Sequence, residues 1–314
     1  MPKYIGAQTQ LGLAFETVFG TYVPPTRFFP IKSESLVNNY AHVARRLIRG
    51  VADNLGHIVG PNFVEGDIVM ELYPDVLPYF LYVSRVSLVK TGAGPYQYVT
   101  TPVHVGDSVS LTKPSISINV FKASESFGFR GCVVSGWEIS VEDGIPVLTV
   151  HIVGSIESDQ ADPTPTYLTT DVPVSSPGWA IQVPDAAAIL TVEDVTFSVN
   201  DNAEPQFRLG ANGAAWVKFG EREVGATVTR DFESRAELDL FKSATATSVT
   251  IILTEGAKSV TIKMANVTRE TYELDGSSDQ GSPVMASINY VGNYNIATSK
   301  SYEVTVTGSV TNIV

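Results

Sequence analysis

The chain has 314 residues, 44% apolar and only 17% charged, enough to build one large or two ordinary cores and too apolar for wholesale disorder. Its formal net charge of −12 disfavours a stable grip on nucleic acid through phosphates, which needs a Lys/Arg surplus, though an acidic surface can face DNA that must slide past. One cysteine, Cys132, allows neither an intrachain disulfide nor a cysteine zinc cluster.

The 25 Gly and 18 Pro, with few long helical patterns, favour an all-β fold. So low a charge content for this size also points to surface buried against partners. Residues 1–20 show no basic segment followed by an apolar run, so no signal peptide is expected. No window approaches the roughly 18 apolar residues of a membrane helix. The protein is therefore expected to be made and kept in a cytoplasm, where the sequon Asn266-Val267-Thr268 carries no meaning.

Residues 1–35 are punctuated by Gly, Pro and Thr and end in a strand, RFFPIKSESL. The polar stretch NNYAHVARRLIRGVADNLGHIVGPNF reads as a long loop or extended hairpin. EGDIVMELY alternates as a half-buried strand, and in PDVLPYFLYV Pro74 is placed to open a helix of one or two turns. PSISINVF, FGFRGCVVSGWEISV and IPVLTVHIVG follow as strands, the last two joined at Glu142-Asp143-Gly144. On the second of these strands Val133, Trp137, Ile139 and Val141 are expected on one face. Cys132 lies in the same pattern and reads as a small buried hydrophobe.

Residues 155–184, rich in Pro, Thr, Ser and Asp, hold the best linker. Beyond it the order restarts. ILTVEDVTFSVN is a strand, DNAEPQFRLGANGAAWVKFGE a polar loop, and VGATVTRDF an alternating strand. ESRAELDLFKSA reads as a short helix in which Ser234 and Glu237 form a capping box. SVTIILT, SVTIKMANV and SPVMASINYVG, together with the segment holding Val267 and Tyr272, complete the set as strands.

Side by side, GDIVMELYPDVLPYF faces GATVTRDFESRAELDLF, RGCVVSGWEI faces MANVTRETYE, and TVHIVG faces SINYVG. Identities are few, but the order of elements matches. It reads as an internal duplication with a first module at 1–160, a linker at 161–184 and a second module at 185–314. Two unrelated β-domains, or one large sandwich, are the alternatives.

Catalytic signals are sparse. The four histidines, His42, His57, His104 and His151, lack metal spacing. GDSVS at 106–110 resembles an esterase nucleophile block but has no Asp-x-x-His partner and no βαβ alternation. SVNDNAEPQF at 198–207 looks like a cadherin calcium linker without its partner acidic motifs, and DGSSDQG at 275–281 lacks the EF-hand pattern. No enzyme activity, metal or other cofactor is expected. Arg45, Arg46 and Arg49, with Asn54 and His57 nearby, form a basic loop on an acidic chain, suited to docking on an acidic face of a neighbour.

The N-terminal series Gly6, Ala7, Gln8, Glu16, Thr17, Phe19, Gly20, Thr21, Pro25, Thr26, Arg27 and Ser33 to Leu36 resembles the opening of the major tail tube proteins of long-tailed (siphovirus-type) bacteriophages. Phe19 stands where Tyr is more usual in that family. The arginine-bearing loop, Glu65 to Leu72, and the hairpin from Phe129 to Gly154 resemble it in order and spacing.

The resemblance implies a mainly β fold of two tandem tail-tube-like sandwich or half-barrel modules, each with a short helix, assembling into a ring-shaped β-barrel. It implies a virion structural protein whose rings stack into a DNA-conducting tube. The basic loop (Arg45, Arg46, Arg49, Asn54, His57) is then expected to stack rings, and Val133, Trp137, Ile139, Val141, Val267 and Tyr272 to lie on wall strands. With the duplication, it favours a homotrimeric, pseudo-hexameric ring over a hexamer. The expected partners are further copies of the chain, a tape measure protein in the lumen, transiting DNA, and tail terminator and baseplate proteins, with no membrane. A baseplate hub or contractile-tail inner tube protein, and a β-sandwich adhesin or carbohydrate-binding module, are the alternatives.

Overall fold

The runs of alternating apolar and polar residues become strands, and β-branched residues dominate them. The computed structural model describes residues 6–45, 56–104, 114–122, 124–167, 172–175, 178–183, 188–189, 191–275 and 283–313. In the first half these are β1 (Gln10–Phe15), β2 (Arg27–Phe29), β3 (Ser33–Glu34), β4 (Val37–Ala44) and β5 (His57–Glu71), followed by α1 (Leu77–Val83). Then come β6 (Val86–Thr91), β7 (Tyr96–Pro102), β8 (Ile116–Lys122), β9 (Glu125–Glu142), β10 (Ile145–Gly154) and β11 (Ile156–Gln160). The second half holds β12 (Trp179–Gln182), β13 (Ala188–Ile189), β14 (Val192–Asn200), β15 (Glu204–Gln206), β16 (Trp216–Lys218) and β17 (Glu223–Asp231). It ends with α2 (Ala236–Lys242), β18 (Thr247–Glu255), β19 (Lys258–Asp275), β20 (Met285–Gly292) and β21 (Glu303–Gly308). The fold is mainly β, as expected, with a large antiparallel sheet and, among the described residues, two short α-helices.

Hydrogen-bonded pairing links eight strands in the spatial order β4, β5, β10, β9, β14, β17, β20, β19, every neighbour antiparallel. The first four and the last four repeat one connectivity. In each set a strand leads through a long connection to its neighbour, a short helix follows, and a hairpin returns to that neighbour (β4, β5, α1, β9, β10; then β14, β17, α2, β19, β20). Both hairpins begin with an 18-residue strand. The N-terminal part of β9 pairs with β8 and β11, and that of β19 with β18 and β21, so each long strand changes partners along its length.

The two hairpins also share an irregularity. Ser135 is the extra residue of a β-bulge where β10 passes from His151 to Ile152. Glu270 is the extra residue where β20 passes from Asn289 to Tyr290. Each site lies two residues before a strand-ending glycine, Gly154 or Gly292. A bulge reverses the alternation beyond it. Hence Val134, not Val133, joins Trp137 and Ile139 in the core, and Val133 pairs with Val153 on the opposite face. This corrects the expectation that Val133 shares the face of Trp137, Ile139 and Val141.

The pairings also move the alignment of the halves by one residue. Ile152 pairs with Gly66, and Tyr290 with Ala226, so Gly66 answers to Ala226 rather than Gly225. Likewise Trp137 opposes Val150 as Tyr272 opposes Ile288. A one-residue slip would turn every side chain to the wrong face, so burial selects this register.

The helices depart from expectation in detail. α1 begins at Leu77, and Pro78 rather than Pro74 stands in its first turn, where a missing N–H costs no helical bond. In α2 the N-cap is Arg235 and no side chain caps it; Ser234 Oγ instead accepts a 3.4 Å bond from Ala236 N, and Glu237 turns to Arg269 and Arg230. The expected capping box is therefore replaced by ion pairs, because a buried guanidinium competes better for the carboxylate than a solvated backbone N–H. The end of the Pro/Ser/Thr-rich stretch is sheet as well, since β12 pairs with β18.

One apolar core runs through both halves, with Leu13, Ile68, Phe80, Ile139, Ile262 and Tyr290 all nearly inaccessible to solvent. Full burial of such side chains contributes about 1.5–3 kcal/mol each. Trp137, Phe197 and Tyr302 meet at ring distances of 5.2 to 6.4 Å and join β9, β14 and the segment before β21. The C-terminal β21 crosses back to β7 in the first half. Asp75 anchors this return by accepting from Ser309 N at 2.7 Å, Ser309 Oγ at 2.8 Å and Lys258 Nζ at 2.5 Å.

Candidate functional site

The eight-stranded unit has one apolar and one polar face. The alternating solvent-side positions carry Glu65, Asp67, Glu71, Glu138, Asp194 and Glu273, together with His151, and no Lys or Arg is among them. Between them stand small polar residues such as Ser198, Thr227 and Asn289. His151 Nδ1 lies 2.6 Å from Asp67 Oδ1. At the margin Lys32 Nζ reaches Glu142 Oε2 at 2.6 Å.

Part of this face is concave. A broad groove of about 1280 Å³ is lined by Glu138, His151, Ser198, Thr227 and Asn289, and by the Arg85 and Arg222 guanidiniums. Both arginines are committed elsewhere. Arg222 Nε donates to Asp201 Oδ1 at 2.6 Å, and Arg85 Nη1 donates to the Gly220 carbonyl at 2.7 Å. Burial pushes the Asp201 carboxyl above its ordinary range, against the pull of Arg222 and Arg85. Burial also lowers the Arg85 guanidinium, with Arg222 adding to the effect.

The calcium-like segment is occupied by its own bonds. Asn202 N donates to Asn200 Oδ1, Asn202 Nδ2 donates to the Glu221 carbonyl, and Asp201 is held by Arg222. Among the described residues no three His, Cys, Asp or Glu side chains converge as a metal site would require. Cys132 is fully buried and its thiol is pushed well up by burial, with Glu16 adding to the effect. GDSVS at 106–110 and residues 276–281 lie outside the described residues.

The two edges of the eight-stranded unit are open. Among the described residues β4 pairs only with β5, and the stretch Thr268–Asp275 of β19 pairs only with β20. Apolar side chains stand exposed along both, with Val37 49%, Tyr40 54% and Leu274 46% accessible. β4 and β5 continue past the sheet as an extended hairpin, from Val37↔Glu65 to Ala44↔His57. Arg45 and His57 are exposed near its far end, while Arg46, Arg49 and Asn54 lie outside the described residues.

Of the residues expected on wall strands, Trp137, Ile139 and Val267 are buried in the core, and Val141 and Tyr272 pack against it half-buried. Glu16 stands in the N-terminal series, but its anchoring role could not be read from the sequence. Its carboxylate accepts from Ser115 Oγ at 2.5 Å, Ser117 Oγ at 2.7 Å, Gly131 N at 2.8 Å and Gly20 N at 2.8 Å. It pins the N-terminal segment across β8 and β9. Gly131 has φ +63, and a Cβ there would lie 2.8 Å from Ser155 Cβ, so only glycine brings its N–H to the carboxylate. The Glu that opens ETVFGT was the available signal, but apart from Gly20 its partners lie about a hundred residues away in sequence.

A face bearing carboxylates and two open strand edges are what a subunit of a larger assembly presents. Residues 6–292 match the family model for phage tail tube proteins. The chain belongs to that family. No curated protein matches it. As a phage tail tube protein it is a structural protein of the virion that self-assembles into a tube. The signature around Glu16, Gly20 and Arg27 and the Glu65–Leu72 strand fall within the matched span, which is most of the chain.

Proposed function

We propose that this tail tube protein forms homotrimeric, pseudo-hexameric rings that stack into the channel through which DNA passes from capsid to host, in a phage with a long, flexible tail. The observation that carries the reading is the eight-stranded unit, in which two sets of like connectivity lie side by side and end in open edges. Such edges are a liability in a monomer, and closure into a barrel of several chains removes them. Residues 1–160 and 185–314 then act as two modules of one duplication joined by 161–184, so three chains present six like units.

The concave polar face becomes the lumen. Its carboxylates repel a phosphate backbone and keep friction low. A tape measure protein occupies that lumen during assembly in the host cytoplasm, and terminator and baseplate proteins close the two ends. The β4–β5 hairpin, carrying Arg45 and the basic residues beyond it, reaches the neighbouring ring. A contact of this heterologous kind does not close on itself and gives a linear polymer.

Electron microscopy of the purified protein tests the reading. Rings or tubes whose averaged end-on views hold three chains support it. A strict monomer at high concentration in every salt overturns assembly, and six chains per ring overturn the trimer.

A further inference from the structure

The chain contains one finished junction between its two four-stranded sets, and this junction predicts a second. Within the chain β14 lies on the outer edge of β9 with Ser198 opposite Glu138, Val199 opposite Trp137 and Asn200 opposite Gly136. The corresponding positions at the open edges follow from strand register alone. On one side, Val199 pairs with Val224 as Asn38 pairs with Val64. On the other, Trp137 pairs with Val150 as Tyr272 pairs with Ile288, two residues past the shared bulge.

Three observations mark these edges as halves of one contact. Ile139 is 2% accessible under β14, whereas Leu274 at the matching place is 46% accessible. Val37, which matches Ser198, is 49% accessible. Asn38 is buried, yet its side-chain nitrogen and oxygen both lack a hydrogen-bond partner. A buried amide left unpaired is costly, and native structures rarely tolerate it without an unseen partner. Tyr272, whose hydroxyl both donates and accepts, holds the position that would face it.

We propose that β19 of one copy pairs antiparallel with the β3–β4 edge of the next, with Val37 opposite Glu273, Asn38 opposite Tyr272 and Asn39 opposite Thr271. The contact between copies thus reuses the register of the contact within each copy. It is head-to-tail, because every copy offers one edge of each kind, and repetition of a fixed rotation closes a ring. The inference rests on the ring reading above and adds the residues and register that make it.

Cross-linking in the assembled protein tests it. Two double variants, N38C/Y272C and V37C/E273C, place cysteines at adjacent positions of the proposed ladder. Adjacent antiparallel pairs alternate between Cα separations of about 4.5 and 5.5 Å, both within disulfide reach, with side chains closer in the non-hydrogen-bonded pair. Cys132 stays silent because it is buried with a raised thiol pKa. Under mild oxidation at least one double variant gives a ladder of covalent oligomers on a non-reducing denaturing gel, and the single variants give none beyond background. Rings visible by negative stain in which both pairs remain as thiols overturn the register and leave the ring reading standing. Preferential cross-linking of N38C/L274C, slipped by two residues, does the same. Wild-type protein that forms no rings overturns the ring reading and this inference with it.

Discussion

The carboxylate of Glu16 accepts the backbone N–H of Gly131 at 2.8 Å, across a separation of 115 residues. The same carboxylate holds Ser115 Oγ, Ser117 Oγ and Gly20 N, so a single side chain fastens the N-terminal segment to β8 and β9. Glu16→Ala leaves these buried donors unpaired and is expected to cost on the order of 3 kcal/mol. Urea unfolding with the slope held constant measures the loss, and limited proteolysis is expected to cut earlier between residues 16 and 27. Full resistance to both would show that the N-terminal segment is held by β1 alone.

Asp75 sets a pH limit. Burial raises its carboxyl pKa, but hydrogen bonds from Lys258, Ser309 Oγ and Ser309 N outweigh burial and hold it below the ordinary value. A carboxyl with a depressed folded pKa contributes stability that is present above its unfolded value of about 3.9 and is lost as pH falls through the folded pKa. Stability is therefore expected to decline below about pH 4, and Asp75→Asn is expected to flatten that part of the curve. At pH 7 the variant is expected to be less stable by on the order of 3 kcal/mol, because Lys258 loses its ion pair with the Asp75 carboxylate. Thermal melts from pH 3 to pH 7 check both; an unchanged acid limb would show that other carboxylates set it.

Glu237 and Ser234 separate two accounts of α2. Arg269, with a side chain only 2% accessible, donates to Glu237 Oε2 from Nη2 at 2.8 Å and from Nε at 3.0 Å. Glu237→Ala strands that guanidinium and is expected to cost on the order of 3 kcal/mol. Ser234→Ala removes only one long, exposed bond and is expected to cost under about 0.5 kcal/mol. Denaturant midpoints rank the two. Equal losses would restore the capping box.

Charge reversal of Arg45, Arg46 and Arg49 to Glu is expected to weaken ring stacking more than ring formation. The far end of the β4–β5 hairpin stands clear of the eight-stranded unit, with Arg45 exposed there. Sedimentation against salt gives the readout, with tube length falling while ring-sized particles persist. Tubes of wild-type length would remove these arginines from the stacking contact.

Local pattern reached far in this chain. Alternation placed strands such as β5, β9, β10, β14 and β17, and Glu142-Asp143-Gly144 was legible as a hairpin because residues with positive φ are needed there and Asp143 and Gly144 supply them at φ 51 and 77. The repeated order of elements was legible for the same reason, since it survives where identity does not. The family was legible in the N-terminal series, which lies within the matched residues 6–292. The corrections fall where a distant contact decides. Glu237 could have capped α2 by sequence, but Arg269 from β19 takes it.

What the amino-acid sequence determined by itself is thus the strongly alternating strands and their order, since alternation depends on neighbours one or two residues away. β6, β7 and β21 were not read from it, and β7 and β21 pair with each other from opposite halves of the chain. Tertiary structure alone decided which way those strands face. Alternation provides two faces without naming the inner one, and the extra residues Ser135 and Glu270 each exchange them part-way along a strand. A bulge is stable only because both partner strands are already buried in register, and that information lies in β5, β10, β17 and β20 rather than in the bulged segment itself. The acidity of Glu65, Asp67 and Glu138 was visible from composition; their gathering on one face of the sheet required the fold.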